Sequence, residues 1–431
     1  MVNVVIGIDL GTTFSAAAFV DERGVAQMIP IDDQMTLPSV VLIDGAQSVV
    51  GELAMNQWVT NEAHVVRWIK RSMGDLSYRF QGKNAIEISA EILKTIRHAA
   101  ELHLGQAVDE AVITCPAYFN ALEIENTKRA GELAGFRVRE IVKEPTAAAV
   151  YYGVENMRDG QKVLVCDLGG GTYDATLLAL QGGVFRPLAS MGDRKLGGHD
   201  WTVELESMVA ERFLDKHGKD PRDDLVAGQM LYEACERAKR DLARSDTVSI
   251  PCPAHGITEH VTVTRREFED RNEHRIGRMV VWSDEAVQKA GLGWADVDTI
   301  LLVGGSSRLR RMGEALAEAS GKTPVQVNKP DLAVALGAAV LARGRVLSRR
   351  PGGLAEGPRG GLVEVAFERI IPRNMGTRVI KSGPGHAIAN AQIIPHGTQA
   401  PCDCSRDDFQ VTYDRQEYFD VPVVEFEGED D

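Results

Sequence analysis

The sequence is poor in the features that mark membrane, secreted and disulfide-stabilised proteins. None of its apolar runs approaches the roughly 18 residues needed to cross a bilayer. The first residues, MVNVVIGIDLG, lack the basic segment and long apolar core of a secretory signal peptide. Cysteine occurs six times in 431 residues, and Cys115 and Cys166 lie in strand-like runs where a reduced thiol packs well. We therefore expect a cytoplasmic protein with reduced cysteines and no membrane partner.

The chain also has fewer basic than acidic residues. The chain has 48 lysines and arginines against 62 aspartates and glutamates, which gives a formal net charge of −14. A negative surface repels nucleic acids and anionic membranes, so neither is expected as a partner. The cysteines Cys402 and Cys404 have no second Cys or His pair nearby, so a metal site is not expected there.

The distribution of apolar residues indicates an α/β protein of more than one domain. A chain of 431 residues exceeds the size at which a single core stops growing. Up to about residue 348, strand-like runs alternate with helical runs, which favours sheets covered by helices. Residues 349–361 are rich in glycine, proline and charge, as linkers are. Residues 362–431 alternate apolar and polar positions, which predicts a small β-rich region.

Two glycine-containing turns repeat the same pattern. The segments DLGTTFS at 9–15 and DLGGGTYD at 167–174 each join an aspartate at a strand end to a turn of small residues and an aromatic residue. This internal repeat predicts two similar lobes, one of about residues 1–155 and one of about 160–330.

Glycine turns at strand ends are suited to binding anions. A bare backbone lets N–H groups approach phosphate oxygens, so two facing turns would hold a polyphosphate between the lobes. Asp9, Asp167 and Asp174 would hold the accompanying Mg²⁺ through its water shell. Either turn alone is more often a tight hairpin, but a third glycine strand end, LLVGGSS, favours phosphate binding.

Eight motifs together resemble a known family. Their order and content are similar to those of the DnaK-like 70-kilodalton heat-shock chaperone family, within the actin-like ATPase superfamily. The motifs are IGIDLGTTFS (6–15), VITCPAYFN (112–120), EPTAAAVYYG (144–153), DLGGGTYD (167–174), LGGHD (196–200), ACERAKR (234–240), LLVGGSSR (301–308) and PDLAVALGAAV (330–340).

The resemblance implies a two-lobed α/β fold. Each lobe is expected to be ribonuclease H-like, with the nucleotide in the central cleft and a helix at 331–347 returning to the first lobe. The nucleotide-binding ATPase domain would then comprise residues 1–348, followed by the linker 349–361. Residues 362–431 would form a partial β-sandwich related to the family's substrate-binding region.

The resemblance also implies the site residues and cofactors, which are ATP or ADP with Mg²⁺ and K⁺. Lys70 would orient the attacking water beside Glu144, and Asp9, Asp174 and Thr172 would complete the catalytic set. By itself, Lys70 would be interpreted as a solvated lysine. The implied phosphate-binding residues are Gly11, Thr12, Thr13, Phe14, Gly169, Gly170, Gly171, Thr172, Gly197 and Gly198.

The adenosine half of the site is implied in the same way. Glu236, Lys239 and Arg240 share one helical face, and without the resemblance they would be interpreted as a salt-bridged surface. The opposite wall is implied to consist of Gly304, Gly305, Ser306, Arg308 and Asp331.

Several positions depart from the family pattern and put interdomain coupling in question. The arginine expected to link the ATP site to the interdomain surface is replaced, although its partner Pro116 is present. The departures are Ile124 in place of that arginine, Ala243 in place of a serine near the adenine, Leu332 in place of an acid, a shortened segment at 75–90 and an altered linker candidate, LVEVAF, at 362–367.

We therefore expect a monomeric, slowly ATP-hydrolysing chaperone-type protein. Its nucleotide state would control lobe closure and the binding of unfolded or extended polypeptides and co-chaperones. The alternative is a nucleotide-dependent regulatory or interaction module without client-folding activity, which the altered linker and short C-terminal region favour. A sugar or metabolite kinase of the same superfamily is less favoured, because EPTAAA and ACERAKR point elsewhere.

Overall fold

Two sheets of the same topology organise the larger part of the computed structural model. The chain forms two compact units, Met1–Val365 and Ala366–Asp431. The predicted linker at 349–361, the segment 362–367 and the cysteines Cys402 and Cys404 lie outside the described residues, and the predicted domain boundaries stay predictions. The structure describes residues 4–45, 47–58, 60–348, 369–370, 374–380, 388–394, 399–400 and 423–426.

The first sheet lies in the N-terminal part of the larger unit, which we call lobe I. Its strands and helices are β1 (Val5–Asp9), β2 (Phe14–Val20), β3 (Ala26–Ile29), β4 (Leu37–Pro38), β5 (Val40–Asp44), β6 (Gln47–Val50), α1 (Glu52–Gln57), β7 (Val65–Arg67), α2 (Ala85–Leu104), β8 (Glu110–Cys115), α3 (Ala121–Leu133), β9 (Arg137–Lys143) and α4 (Glu144–Asn156). The strand order is β3-β2-β1-β8-β9, with β4 also paired to β2. Strands β1 to β3 are antiparallel, whereas β8 and β9 continue the sheet in parallel.

The second sheet repeats this arrangement in lobe II. Its elements are β10 (Lys162–Leu168), β11 (Tyr173–Gln181), β12 (Val184–Asp193), α5 (Gly198–His217), α6 (Leu225–Leu242), β13 (Thr247–Ala254), β14 (Ile257–Thr264), α7 (Arg265–Lys289), β15 (Thr299–Val303), α8 (Arg310–Ser320) and β16 (Val325–Gln326). The order β12-β11-β10-β15-β16 again joins three antiparallel strands to two parallel ones. The prediction of a duplicated, two-lobed α/β fold is therefore confirmed.

Local sequence explains where the helices of lobe I begin and end. Asn84 Oδ1 accepts a hydrogen bond from the backbone nitrogen of Glu87, and the backbone nitrogen of Asn84 donates to Glu87 Oε2, which starts α2 with a capping box. Gly105 ends α2 in the left-handed conformation, which glycine adopts without strain. Asn120 and Glu123 form the same capping box at the start of α3.

Helix α9 (Ala333–Ser348) closes lobe I by packing on β1 and α4. The approach is so close that only glycine fits at two contact points. A Cβ atom on Gly7 would lie 2.1 Å from the backbone nitrogen of Ala339, and one on Gly337 would lie 1.8 Å from the carbonyl oxygen of Ala147. The helix expected at 331–347 therefore lies against the first lobe and brings Asp331 to the cleft.

The smaller unit is built from antiparallel strands. Strand β18 pairs with both β19 and β21, and β17 pairs with β20. Nowhere in the described residues is a helix both long and apolar enough to span a bilayer. The strands are β17 (Arg369–Ile370), β18 (Asn374–Ile380), β19 (Ile388–Ile394), β20 (Gln399–Ala400) and β21 (Val423–Phe426).

Candidate functional site

A cleft of about 800 Å³ lies where the two lobes face each other. Its walls are the β1–β2 turn, the β10–β11 turn, helix α6 and the segment that follows β15. Most of the residues implied by the family resemblance line this one cavity. They are Asp9, Gly11, Thr12, Thr13, Phe14, Lys70, Glu144, Asp167, Gly169, Gly170, Thr172, Glu236, Lys239, Arg240, Gly304, Gly305, Ser306, Arg308 and Asp331.

The remaining four expected residues, Gly171, Asp174, Gly197 and Gly198, are close to the cavity but do not line it. Asp174 is almost fully buried on β11, opposite Asp167 in the sheet register. A Cβ atom on Gly197 would lie 2.3 Å from the carbonyl carbon of Gly171, so these two glycines pack against each other. The backbone nitrogen of Gly198 donates to the carbonyl oxygen of Gly169 at 2.9 Å. These residues support the second glycine turn from behind.

The first glycine turn, between β1 and β2, is held from its outer side by two serines. The backbone nitrogen of Gly11 donates to Ser15 Oγ at 3.2 Å, and Ser39 Oγ donates to the carbonyl oxygen of Gly11 at 2.8 Å. The backbone nitrogen of Ser39 donates to the carbonyl oxygen of Thr13 at 2.8 Å. On the inner side, Thr13 Oγ1 is buried and has no hydrogen-bond partner. An orphaned buried hydroxyl that lines a cavity is suited to a polar ligand.

The second glycine turn, between β10 and β11, is tied to the start of helix α5. The backbone nitrogen of Gly169 donates to the carbonyl oxygen of Thr172 at 3.1 Å, which closes the turn. The backbone nitrogen of His199 donates to the carbonyl oxygen of Gly170 at 2.8 Å. The N-terminus of a long helix carries partial positive charge, so the turn and α5 together favour an anion.

Lys70 and Glu144 form a buried ion pair at the floor of the cleft. Lys70 belongs to a short 3₁₀ helix, Ile69–Ser72, and Glu144 is the first residue of α4. Burial alone would lower the pKa of Lys70, but the charges of Glu144 and Asp9 outweigh it and raise the pKa above its usual value. Lys70 is therefore positively charged at neutral pH.

Three aspartates beside this pair have raised pKa values, so their protonated forms are favoured. Burial, together with the charge of Glu144, raises the pKa of Asp9 to about 7 and that of Asp174 to about 8. The same causes raise the pKa of Asp167 well above its usual value. Asp9 accepts a hydrogen bond from Thr114 Oγ1 at 3.1 Å, whereas Asp174 Oδ1 is buried without a partner.

This cluster of carboxylates fits a hydrated divalent cation. Within the described residues, no three Asp, Glu, His or Cys groups are close enough to bind a metal directly. Mg²⁺ keeps several waters in most protein sites, so carboxylates that reach it through water suit it. A positive ion there would also counteract the burial and the charge repulsion that raise the pKa values of the aspartates.

One wall of the cleft is formed by α6. Lys239 Nζ donates to Glu236 Oε2 at 2.7 Å, to Thr202 Oγ1 at 2.9 Å and to the carbonyl oxygen of Gly198 at 2.7 Å. Burial lowers the pKa of Lys239 although Glu236 opposes this. Arg240 Nε donates to Glu236 Oε1 at 3.2 Å, and the guanidinium lies 5.3 Å from the ring of Phe14.

The facing wall follows β15. Gly304 has φ 83° and lies so close to β10 that a Cβ atom would be 2.4 Å from the carbonyl oxygen of Leu168. The wall continues through a 3₁₀ turn, Gly305–Arg308, and Arg308 NH2 donates to Asp331 Oδ1 at 2.5 Å. Helix α6 and this turn both line the cleft.

Sequence reasoning missed a cluster of aromatic side chains around Arg67 at the mouth of the cleft. The guanidinium carbon of Arg67 lies 4.0 Å from the ring centroid of Trp58, 4.6 Å from that of Trp68 and 5.3 Å from that of Tyr232. Arg67 NH1 is also 3.8 Å from Glu233 Oε1. The available sequence signal was that Trp58 and Trp68 lie on either side of Arg67 in a chain with few aromatic residues.

The positions that depart from the family pattern have ordinary structural roles. Ile124 packs against the apolar core of lobe I. Leu332 is buried in a small apolar cluster between β2 and α9. Ala243 lines the cleft, and its carbonyl oxygen accepts a hydrogen bond from Arg310 Nε at 3.3 Å.

A comparison with known protein families agrees with this geometry. A family model described as Hsp70 protein matches residues 5–83 and 75–429 of the chain. The matched residues include both glycine turns, the lysine–glutamate pair and helix α6, and they extend into the C-terminal strands.

Proposed function

The chain belongs to the Hsp70 family, and from this premise we propose that it binds ATP with hydrated Mg²⁺ in the interlobe cleft and hydrolyses it slowly. A nucleotide-binding, chaperone-type function with ATPase activity follows in general terms from membership of the family. The assignment of individual residues, the slow rate and the coupling of nucleotide state to lobe closure are our proposals.

One observation supports the proposal above the others. The two glycine turns face each other within contact distance, over a buried Lys70–Glu144 pair and three aspartates with raised pKa values. Backbone amides, one fixed cation and room for a hydrated metal are what a triphosphate tail requires.

In the proposed mechanism, Lys70 orients the attacking water. A charged lysine donates hydrogen bonds but does not take a proton, and Glu144 fixes its position. As the bond from water oxygen to the γ-phosphorus forms, the bond to ADP breaks, and the turns stabilise charge on the phosphoryl oxygens. The water proton passes to a carboxylate or to phosphate, both weak bases, which favours slow turnover. Mg²⁺, when bound, supplies further neutralisation of that charge.

The remaining predicted residues would bind the nucleoside. Glu236 is already turned towards Lys239 and Arg240, so the three side chains are ordered before a ligand arrives. Preordered groups lose less entropy on binding. We assign Glu236 and Lys239 to the ribose and the exposed guanidinium of Arg240 to the adenine face, opposite Gly304 to Arg308.

A regulatory or interaction module is the second candidate function. Ile124 supports it, because an apolar side chain packed in the lobe I core replaces the cation that the family resemblance implies. Stimulation of ATP hydrolysis by excess unfolded peptide would favour the chaperone, and an unchanged rate would favour the module.

Calorimetric titration with ATP, with and without Mg²⁺, combined with a steady-state ATPase assay, tests the proposal. We expect Mg²⁺-dependent binding and slow production of ADP. Failure to bind ATP at saturating Mg²⁺, or turnover at the rates of metabolic enzymes, would contradict it.

A further inference from the structure

Arg194 belongs to lobe II but makes its contacts in lobe I. It follows the last residue of β12, and its NH1 atom lies 3.4 Å from Glu123 Oε1. Its NH2 atom lies 3.5 Å from Glu123 Oε2 and 3.5 Å from the carbonyl oxygen of Tyr118. The guanidinium carbon also lies 4.4 Å from the centroid of the Tyr118 ring. One side chain thus contacts both the segment 116–120 and the start of α3.

The segment 116–120 lies against the proposed reaction centre. The ring of Phe119 is 6.0 Å from Lys70 Nζ. Tyr118 is partly buried. Burial is the main cause of its raised pKa, and the nearby charges of Asp174 and Glu144 raise the pKa further. Lys143 Nζ donates to the carbonyl oxygens of residues 116 and 119 at 3.2 and 2.8 Å, which fixes this segment from the lobe I side.

On the other side, Arg194 is joined by a short stretch of chain to the second glycine turn. Leu196 is fully buried in the core of lobe II, so the stretch is anchored. Gly197 packs against Gly171, and the backbone nitrogen of Gly198 donates to Gly169. Only Lys195 and Leu196 separate Arg194 from Gly197 along the chain.

Glu123 accepts the hydrogen bonds of Arg194 in lobe I. Its side chain is 4% exposed, and its Oε2 atom accepts a hydrogen bond from the backbone nitrogen of Asn120 at 2.9 Å in the α3 capping box. Ile124 follows it directly, at the position where the family resemblance implies an arginine. The guanidinium that contacts Glu123 comes from lobe II.

We propose that Arg194 is a positioning residue, which links the second glycine turn of lobe II to the segment 116–120 of lobe I and so holds Lys70 and its carboxylates in the reactive arrangement. The inference rests on the proposed function, because ATP hydrolysis is the process it affects. Arg194 touches neither the cavity wall nor the reacting atoms, so it acts through Tyr118 and Glu123.

The exposure of Arg194 separates this role from a structural one. The Arg194 side chain is 51% exposed, so solvent screens its pairing with the buried Glu123, and we expect this pairing to contribute little to folding stability. Its removal is therefore expected to leave the fold intact and to change the rate of the chemical step. Small displacements of catalytic groups reduce rates by roughly 10- to 100-fold.

The test compares single-turnover hydrolysis of bound ATP with ATP affinity in the full chain. We expect Arg194→Ala to lower the hydrolysis rate at least about tenfold while the Kd for ATP changes less than about threefold. Arg194→Lys should recover part of the rate, since it keeps the charge but not the two-pronged geometry. Glu123→Gln should cause a similar loss, and the double variant should be no slower than the slower single variant.

Arg278→Ala is the matched control. Arg278 is 49% exposed and pairs with Asp193, the residue next to Arg194, but both belong to lobe II. It should hydrolyse ATP at the parental rate. A parental rate in Arg194→Ala, additive losses in the double variant, or an equal loss in Arg278→Ala would overturn the inference and leave the proposed function standing. A parent protein that does not hydrolyse ATP would overturn both.

Discussion

Gly170 faces Thr13 across the cleft so closely that a Cβ atom on Gly170 would lie 2.0 Å from Thr13 Oγ1. The same atom would lie 2.7 Å from Thr13 Cβ, so rotation of the threonine hydroxyl does not relieve the clash. The two glycine turns of the internal repeat therefore meet in the closed cleft. Their contact, rather than either turn alone, defines the phosphate end of the proposed site.

Substituting Gly170 by alanine tests whether the turns act together. The added methyl group forces them apart, so we expect Gly170→Ala to weaken ATP binding at least about tenfold, as overpacking of close contacts does. Isothermal titration measures the change. Gly277→Ala is the control, because Gly277 lies in helix α7 with open space around it. It should leave affinity unchanged and stabilise the fold by about 0.5–1 kcal/mol. Parental affinity in Gly170→Ala would show that the turns bind independently.

Removal of the Lys70 side chain tests the catalytic assignment. We expect Lys70→Ala to abolish hydrolysis while nucleotide binding stays nearly intact, because the glycine turns and α6 still hold the ligand. The assay is ATP turnover beside calorimetric affinity. Lys94→Ala is the control, since Lys94 is half-exposed on α2. Turnover at the parental rate in Lys70→Ala would refute the role of Lys70 in the chemical step.

The sequence was sufficient to predict the elements that depend on local residues. The apolar spacing of ISAEILKTIRHAAELHLG (88–105) predicts a helix, and α2 (Ala85–Leu104) starts earlier because Asn84 caps it before that pattern begins. The strands on either side of both glycine turns were predicted because glycine and aspartate there have local, physical roles. Local patterns thus predicted much of the fold, and the family resemblance implied about half of the residues that line the cleft.

Contacts between distant parts of the chain could not be predicted in this way. Arg67 meets Tyr232 and Arg194 meets Glu123 only after both lobes have folded. Trp58 and Trp68 flank Arg67 in the sequence, but no sequence pattern near Arg67 or Arg194 identifies its partner in the other lobe. The most specific features of this chain therefore lie at the lobe boundary.

The aromatic cluster around Arg67 is expected to slow nucleotide release. Arg67 contacts Trp58 in its own lobe and Tyr232 and Glu233 in the other, so opening the cleft breaks these contacts. Desolvated cation–π contacts are worth about 2 kcal/mol. We expect Arg67→Met to release a fluorescent nucleotide several-fold faster in stopped-flow measurements.

Arg79→Met is the control for that measurement, because Arg79 is exposed and bonds only with the nearby carbonyl oxygens of Leu76 and Tyr78 in the described part of the chain. It should release nucleotide at the parental rate. If Arg67→Met does the same, the cluster does not hold the cleft closed.

The burial of Asp174 favours its protonated form, whereas cation binding requires its ionised form. Its pKa is about 8 in the folded protein against 3.8 in the unfolded chain. Between these values the unfolded state loses its proton while the folded state keeps it, so this residue makes stability fall as pH rises. Asparagine does not titrate. The stability of Asp174→Asn relative to the parent should therefore grow from about pH 4 to about pH 8 and then level off, by a few kcal/mol in all.

Thermal unfolding against pH, in EDTA and without nucleotide, measures this difference. Asp21→Asn is an opposite control, because backbone hydrogen bonds from Val25 lower the pKa of Asp21. The ionised form of Asp21 stabilises the folded state above the pKa of the unfolded chain. The stability of Asp21→Asn relative to the parent should therefore not increase with pH. Asp174→Asn should also lose Mg²⁺-dependent ATP affinity, since only an ionised carboxylate attracts the hydrated cation. If the stability difference does not depend on pH, Asp174 is ionised in the folded protein. The carboxylate cluster then holds that negative charge without a metal.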